Sequence, residues 1–297
     1  MKFRSAPFLS VVLLTTSSTL NAFTISFDYS YDSDGFFDDP ARKSTLESAG
    51  AFFGSRIADD LAAINSSSRN SFSAEFSNPA TGDPNTLDGY NVAADTLVVF
   101  AGARSIGGST LGIGGPGGFS ARGSDSYLEL VRTRGESGAA GDRSFVTDFG
   151  PWGGSLAFDS DVPWYFDNDP STDESFTGND FYSVALHELV HVLGFGTSDA
   201  WDNRVAGGLF EGPAAGRVAL SGDDRHWLDG TFSDVNGVAQ ETAMDPSITL
   251  GTRKGLTELD LNGLRDIGWE VTAIPLPSAF ILFGSGLIVF ARRIVRG

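Results

Sequence analysis

Residues 180–195 read Asp-Phe-Tyr-Ser-Val-Ala-Leu-His-Glu-Leu-Val-His-Val-Leu-Gly-Phe and place His187, Glu188 and His191 at the H-E-x-x-H spacing. Side chains four apart on a helix share one face, so both imidazoles can reach a single metal ion while Glu188 stands beside that face. Neutral imidazoles suit zinc, and a site with three protein ligands keeps a coordination position for water. Zinc lowers the pKa of such a water to about 7, which makes Glu188 the expected general base. One more protein ligand is required. The chain has three histidines, His187, His191 and His226, so the supply of imidazoles matches the need.

The segment must be a helix for this to work, and its flanks supply the signals. Asn179 or Asp180 can cap the N-terminus, and Phe181, Val184, Leu186, Leu189, Val190, Val192 and Leu193 give a largely buried body. Gly194 provides the stop.

His187 to Gly194 resembles the start of the metzincin signature H-E-x-x-H-x-x-G-x-x-H. The sequence departs from the compact form, because the position of the third histidine holds Thr197. It is similar in this to leishmanolysin-like metzincins, where an insertion precedes the third ligand. The resemblance then implies His226, in the run Asp224 to Gly230, as the third zinc ligand. Asp199 and Glu258 are the candidates if His226 is not. It also implies a methionine turn at Met244, the one methionine besides the initiator. Upstream, Gly153 to Asp161 followed by Trp164 resembles the strand and acidic turn that precede the active-site helix in matrixin-like metzincins. The resemblance covers about residues 150 to 270. It implies an α+β, zincin-like fold: a twisted mixed sheet, an active-site helix and a loop-rich C-terminal subdomain. The activity implied is a zinc-dependent endopeptidase acting on proteins or peptides. The competing expectation is a catalytically silent surface or biofilm-matrix binding protein with structural zinc, against which the retained Glu188 argues.

The 297 residues are 41% hydrophobic, enough for one sizeable core, and include no cysteine, so neither disulfides nor a thiolate site are available. Formal net charge is −18. Lys2, Arg4, Arg292, Arg293 and Arg296 lie in the two ends, so the central part is more acidic still. Such a surface repels nucleic acid and anionic membranes. A monomer is expected.

Along the chain, Lys2 and Arg4 before the apolar run Pro7 to Leu14 read as a signal peptide ending at Ala22. Phe23 to Tyr29 and Thr96 to Ala103 read as strands, and Pro40 to Ile64 as a helix with Leu46, Ala49, Phe53, Ile57 and Leu61 on one face. Ser66 to Asp88 is rich in turn formers, and the glycine-rich Gly107 to Gly123 reads as a mobile or tightly turning loop. Trp152 to Phe158 is expected to be an edge strand whose residues Gly154, Ser155, Leu156 and Ala157 pair with an extended substrate. Asp159, Asp161, Asp167, Asn168, Asp169 and Asp173 then crowd a short loop. Such oxygen-rich turns suit calcium, with Asp159, Asp161, Asp167 and Asp169 the candidate ligands, although no EF-hand spacing is present. The last helix is expected from Thr257 to Ile267, with Thr257 and Asp260 as a capping box.

At the C-terminal end, Pro275 and Pro277 precede an apolar run from Ala279 to Ala291, then Arg292, Arg293 and Arg296. The run is short for a lone membrane span, and the arginines favour the cytoplasmic side. This tail resembles PEP-CTERM-type sorting signals and their Val-Pro-Leu-Pro variants. That resemblance implies an exosortase-like partner, a Gram-negative bacterium, export of the protein and transient anchoring in the inner membrane. A permanent single-span anchor is the alternative. The expected organisation is therefore a signal peptide over 1–22, a metallopeptidase domain over 23–272 and a sorting tail over 273–297.

Overall fold

The computed structural model describes residues 22–167, 169–170, 172 and 174–272. The expected signal peptide, up to residue 21, and the expected tail, 273–297, lie outside the described residues, as do Asn168 and Asp173 of the acidic loop. Among the described residues no helix is long and apolar enough to cross a membrane.

The central sheet has the strand order β1-β4-β7-β5, formed by β1 (Thr24–Asp28), β4 (Thr96–Arg104), β7 (Gly153–Asp159) and β5 (Gly112–Pro116). The first three run parallel, and β5 is antiparallel to β7. Strand β4 is buried on both faces. Leu97, Val99, Ala101 and Ala103 enter the main core, while Val98 and Phe100 face a smaller core on the other side. That alternation is the period of two expected of a strand.

Two helices cover the first face, α1 (Pro40–Gly54) and α3 (Phe181–Val192), packed on each other. Helix α1 starts where the side chain of Asp39 accepts from the amides of Ala41 and Arg42, with Pro40 in the first turn. It stops at Gly54, ten residues short of the expected end. Ile57, Leu61 and Ile64 are still buried, but in extended chain, with Ile57 bridged to Val271 and Ile64 to Val92. The helical spacing of these residues continues past the helix itself, and pairing with distant segments overrides it.

The second face holds a small sheet in the order β3-β2-β6, made by β2 (Ser71–Ser77), β3 (Pro84–Asp88) and β6 (Gly118–Arg122). Helix α2 (Asp125–Thr133) follows. The turn-rich and glycine-rich stretches of the sequence are thus strands: Ser66 to Asp88 contains β2 and β3, and Gly107 to Gly123 contains β5 and β6. At the exit of α2, Arg134 is fully buried, and its guanidinium donates to the carbonyls of Ala62, Ala93, Thr96 and Pro151.

Two short parallel strands, β8 (Trp164–Tyr165) and β9 (Asn179–Asp180), lead into α3. Beyond it lie a short helix α4 (Asp199–Asp202) and a meander of β10 (Val205–Ala206), β11 (Leu209–Gly212) and β12 (Gly216–Ala219). A hairpin of β13 (Phe232–Val235) and β14 (Val238–Glu241) and the helix α5 (Glu258–Asp266) complete the described chain. The capping box of Thr257 and Asp260 is present. Trp201, Trp227 and Trp269 are fully or almost fully buried and join this part to α3, Trp269 by donating its indole N–H to the carbonyl of Leu193.

Candidate active site

The N-cap of α3 is Asp180, whose side chain accepts from the amide and hydroxyl of Ser183. The helix ends at Val192, and Gly194 takes φ 98°, a conformation that a Cβ would strain. His187 and His191 therefore project from one face, one turn apart. His226 comes back to them from the loop between β12 and β13. Its loop is fixed from beneath, because the indole of Trp201 donates to the carbonyl of Asp224, and that of Trp227 donates to the carboxylate of Asp260.

The Nε2 atoms of His187, His191 and His226 are 3.2, 3.2 and 3.1 Å apart. Each Nδ1 meets an acceptor: the Ala243 carbonyl for His187 at 2.7 Å, the Phe195 carbonyl for His191 at 2.8 Å, and the Asp223 carboxylate for His226 at 2.7 Å. These partners put the ring protons on Nδ1. Three bare Nε2 lone pairs then converge on one point, an arrangement that repels itself unless a cation lies between them. With metal–nitrogen distances of about 2.0–2.1 Å, a tetrahedral site requires ligand separations of roughly 3.3–3.4 Å, close to those observed. The donor set fits zinc. Burial lowers the pKa of His187 and His191, which keeps both rings neutral and able to ligate.

Met244 is fully buried below this centre. Its carbonyl accepts from the Trp227 amide, and the amides of Ala243 and Met244 donate to the carboxylate of Asp260. Asp260 thus joins the capping of α5, the turn at Ala243–Met244 and the loop of His226. The turn touches the histidines through the carbonyl of Ala243.

Glu188 is buried beside the triad. Burial raises its pKa, opposed by His187 and a hydrogen bond from the Gly114 backbone. It is roofed by β5. A Cβ on Gly112 would lie 2.8 Å from the Glu188 side chain, and one on Gly114 would lie 2.4 Å from the Glu188 carbonyl. Only glycine lets strand and helix approach so closely.

This arrangement corrects the expected edge strand. Gly154, Ser155, Leu156 and Ala157 lie in β7, which is paired on both sides, with β4 and with β5. The free edge beside the histidines belongs to β5.

The four candidate calcium ligands have other partners. Asp159 accepts from the amides of Gly107 and Asp161, and Asp161 from the Ser105 hydroxyl. Asp167 is bound by Arg253 and by the amide of Asp169. Two groups of ligating atoms converge among the described residues, the three histidines and Asp229, Glu241 and Asp245; neither includes these four aspartates. Nothing in their geometry supports calcium.

A cleft of about 520 Å³ runs past the triad, bounded by Thr110 to Gly114 on the β5 side and by the segment Ala243–Ile248 on the other. Lys254, also lining it, is buried and donates to the carboxylates of Glu241 and Asp245 and the carbonyl of Ser247. Its neighbour Arg253 makes a two-pronged contact with Asp180 and a further bond to Asp167. The amide of Lys254 donates to Ser183 on α3. Asp223, Gly112, Gly114, Asp245 and Lys254 were not singled out by the sequence. The alternation of glycine in Gly-Ile-Gly, residues 112–114, was the available signal for the roof.

Comparison with known proteins agrees with the geometry. Residues 132–230 match the family model for matrixin, a stretch that holds Glu188 and all three histidines. A segment of 97 residues is 32% identical to matrix metalloproteinase-15 of Homo sapiens, covering 33% of this chain and 14% of that protein. No solved structure matches. The mixed sheet with few helices is compatible with a metzincin fold, and the family match supports a metzincin-type zinc metallopeptidase.

Proposed function

We propose that the protein is an exported zinc-dependent endopeptidase. The observation that carries this reading is the convergence of three Nε2 atoms, each with its Nδ1 held by an acceptor, next to the buried carboxylate of Glu188. His187, His191 and His226 would hold the zinc, which when bound acidifies a water and polarises a carbonyl. Glu188 takes a proton from the attacking water and returns it to the leaving amine, a role for which a carboxylate lifted by burial is suited. The free edge of β5 offers main-chain donors and acceptors to an extended peptide, which holds the scissile bond in the cleft. Export and the sorting tail rest on the sequence of the two ends.

The test is zinc content together with casein hydrolysis by the full chain, wild type beside Glu188→Gln. One zinc per chain in both proteins, and a loss of turnover of about 10²–10⁴-fold in the variant, is the expected result. Zinc retained with no hydrolysis by either protein would sink the peptidase reading and favour a binding role.

A further inference from the structure

Besides the histidines, five charged side chains line the cleft: Glu188, Asp223, Arg225, Asp245 and Lys254. Four of them are committed. Glu188 stands buried beside the three histidines. Asp223 holds His226. Asp245 is fully buried against Lys254, whose ammonium spends its three hydrogens on Glu241, Asp245 and the Ser247 carbonyl. Arg225 differs from all of these. It is exposed, and its guanidinium makes no hydrogen bond or ion pair with another described residue. Asp202 attracts it only from a distance, and the β5 side of the cleft, Ser109 to Gly114, carries no charged side chain that could engage it.

The main chain of Arg225 is nevertheless held firmly. Its amide donates to Asp223 Oδ1 at 2.9 Å, and the Asp224 carbonyl before it accepts from the Trp201 indole. Behind it lies Gly196, with φ 69°, where a Cβ would come 2.4 Å from the Arg225 carbonyl oxygen and 2.9 Å from its Cβ. Arg225 is therefore rooted against the turn that follows α3, one residue from the metal-ligating His226. A ligand of its head group has to order only the side chain, which lowers the cost of binding.

We propose that Arg225 makes the peptidase favour substrates with an aspartate or glutamate close to the scissile bond, on the side of the cut that lies toward Thr197 and Arg225. The inference rests on the peptidase reading above and adds a substrate class to it. A guanidinium presents a planar fork that a carboxylate can accept in two places. The chain's net charge of −18 opposes acidic substrates at long range, but salt screens charges beyond about 8 Å at physiological ionic strength, whereas a pair in contact is screened far less. Because the pair is open to water, the preference it gives is modest, about threefold to fivefold.

The experiment uses the zinc-loaded full chain and an uncharged extended peptide in which glutamate, glutamine or lysine is walked through three positions on each side of the cut. At one position, kcat/KM for glutamate should exceed that for glutamine by about threefold to fivefold in low salt, and the gap should shrink in high salt. Arg225→Gln should remove the difference, and Arg225→Glu should turn it into a preference for lysine. Equal rates for glutamate and glutamine at every position would overturn the proposal, as would a glutamate preference that persists in Arg225→Glu. Cleavage of the uncharged peptide itself tests the peptidase reading separately. Binding supplies a readout without turnover, with the glutamate and glutamine peptides titrated against zinc-loaded Glu188→Gln. Tighter binding of the glutamate peptide, lost when Arg225→Gln is added, supports the role of Arg225. Equal binding counts against it.

Discussion

The Nδ1 of His226 lies 2.7 Å from the carboxylate of Asp223, three residues before it, whereas the same atoms of His187 and His191 face main-chain carbonyls. The histidine from the loop after β12 is therefore the one oriented by a charged side chain. Hydrogen bonds from Ser221, the Arg225 amide and His226 overcome the desolvation of Asp223 and hold its carboxyl well below the usual range.

Asp223→Ala should leave the fold intact and weaken zinc binding by about 10–100-fold, with Asp223→Asn intermediate. Competition with a chelating dye measures this directly. An unchanged affinity in both variants would mean that loop packing alone orients His226.

The roof over Glu188 gives a paired prediction on adjacent residues. Gly114→Ala sets a Cβ 2.4 Å from a helix carbonyl and should cost about 1–3 kcal/mol, with turnover reduced because Glu188 shifts. Gly115→Ala meets nothing within 4 Å and should stay within about 0.5 kcal/mol of wild type. Denaturant titration of both proteins distinguishes a strand that must be glycine at one position from one that is merely glycine-rich.

Away from the cleft, Asp59, Glu136 and Asp148 share a partly buried site in which Glu136 and Asp148 hydrogen-bond to each other. Burial, reinforced by repulsion from Asp148 and Glu270, pushes Asp59 up to about 6 and Glu136 up to about 7, and burial with repulsion from Glu270 raises Asp148. The folded chain thus holds these protons more tightly than the unfolded chain, whose carboxyls titrate near pH 4. Their stabilising contribution is complete below about pH 4 and is lost as pH rises through 6 and 7. The Tm of wild type relative to Asp148→Asn should accordingly fall between pH 5 and pH 8, by an amount on the order of a few °C. A difference that is flat with pH would show that these carboxyls titrate normally.

Arg134 has four main-chain carbonyls and no carboxylate in hydrogen-bond contact, so its value lies in the fork of its guanidinium. Burial lowers its pKa to about 10, still far above neutrality. Arg134→Lys keeps the charge but cannot reach all four acceptors, and should lower stability by about 2–4 kcal/mol in a urea titration. A loss below about 0.5 kcal/mol would show that water replaces the missing donors.

The sequence made the active-site helix readable because its signals are local: the capping Asp180, the apolar run and the stop at Gly194 lie within one short stretch. His226 could be found by counting, since the chain holds no other spare imidazole. Strand β5 could not be read this way. Glycine has no side chain to alternate, and the strand exists because β7 pairs with it and α3 needs a thin partner. The overextended α1 has the opposite cause, a helical spacing that continues into residues buried by distant partners. Asp223 and Asp245 are ordinary loop acids until folding brings one to His226 and leaves the other short of a donor.

Arg253 and Lys254 are adjacent, yet one grips the start of α3 and the other grips the wall across from it. The start of α3 and the segment Asp245–Ser247 are consequently tied to each other through a single peptide unit. Drawing the two apart would mean breaking ion pairs to Asp180 or Asp245, so the chain's own charges act here as a clasp between helix and loop.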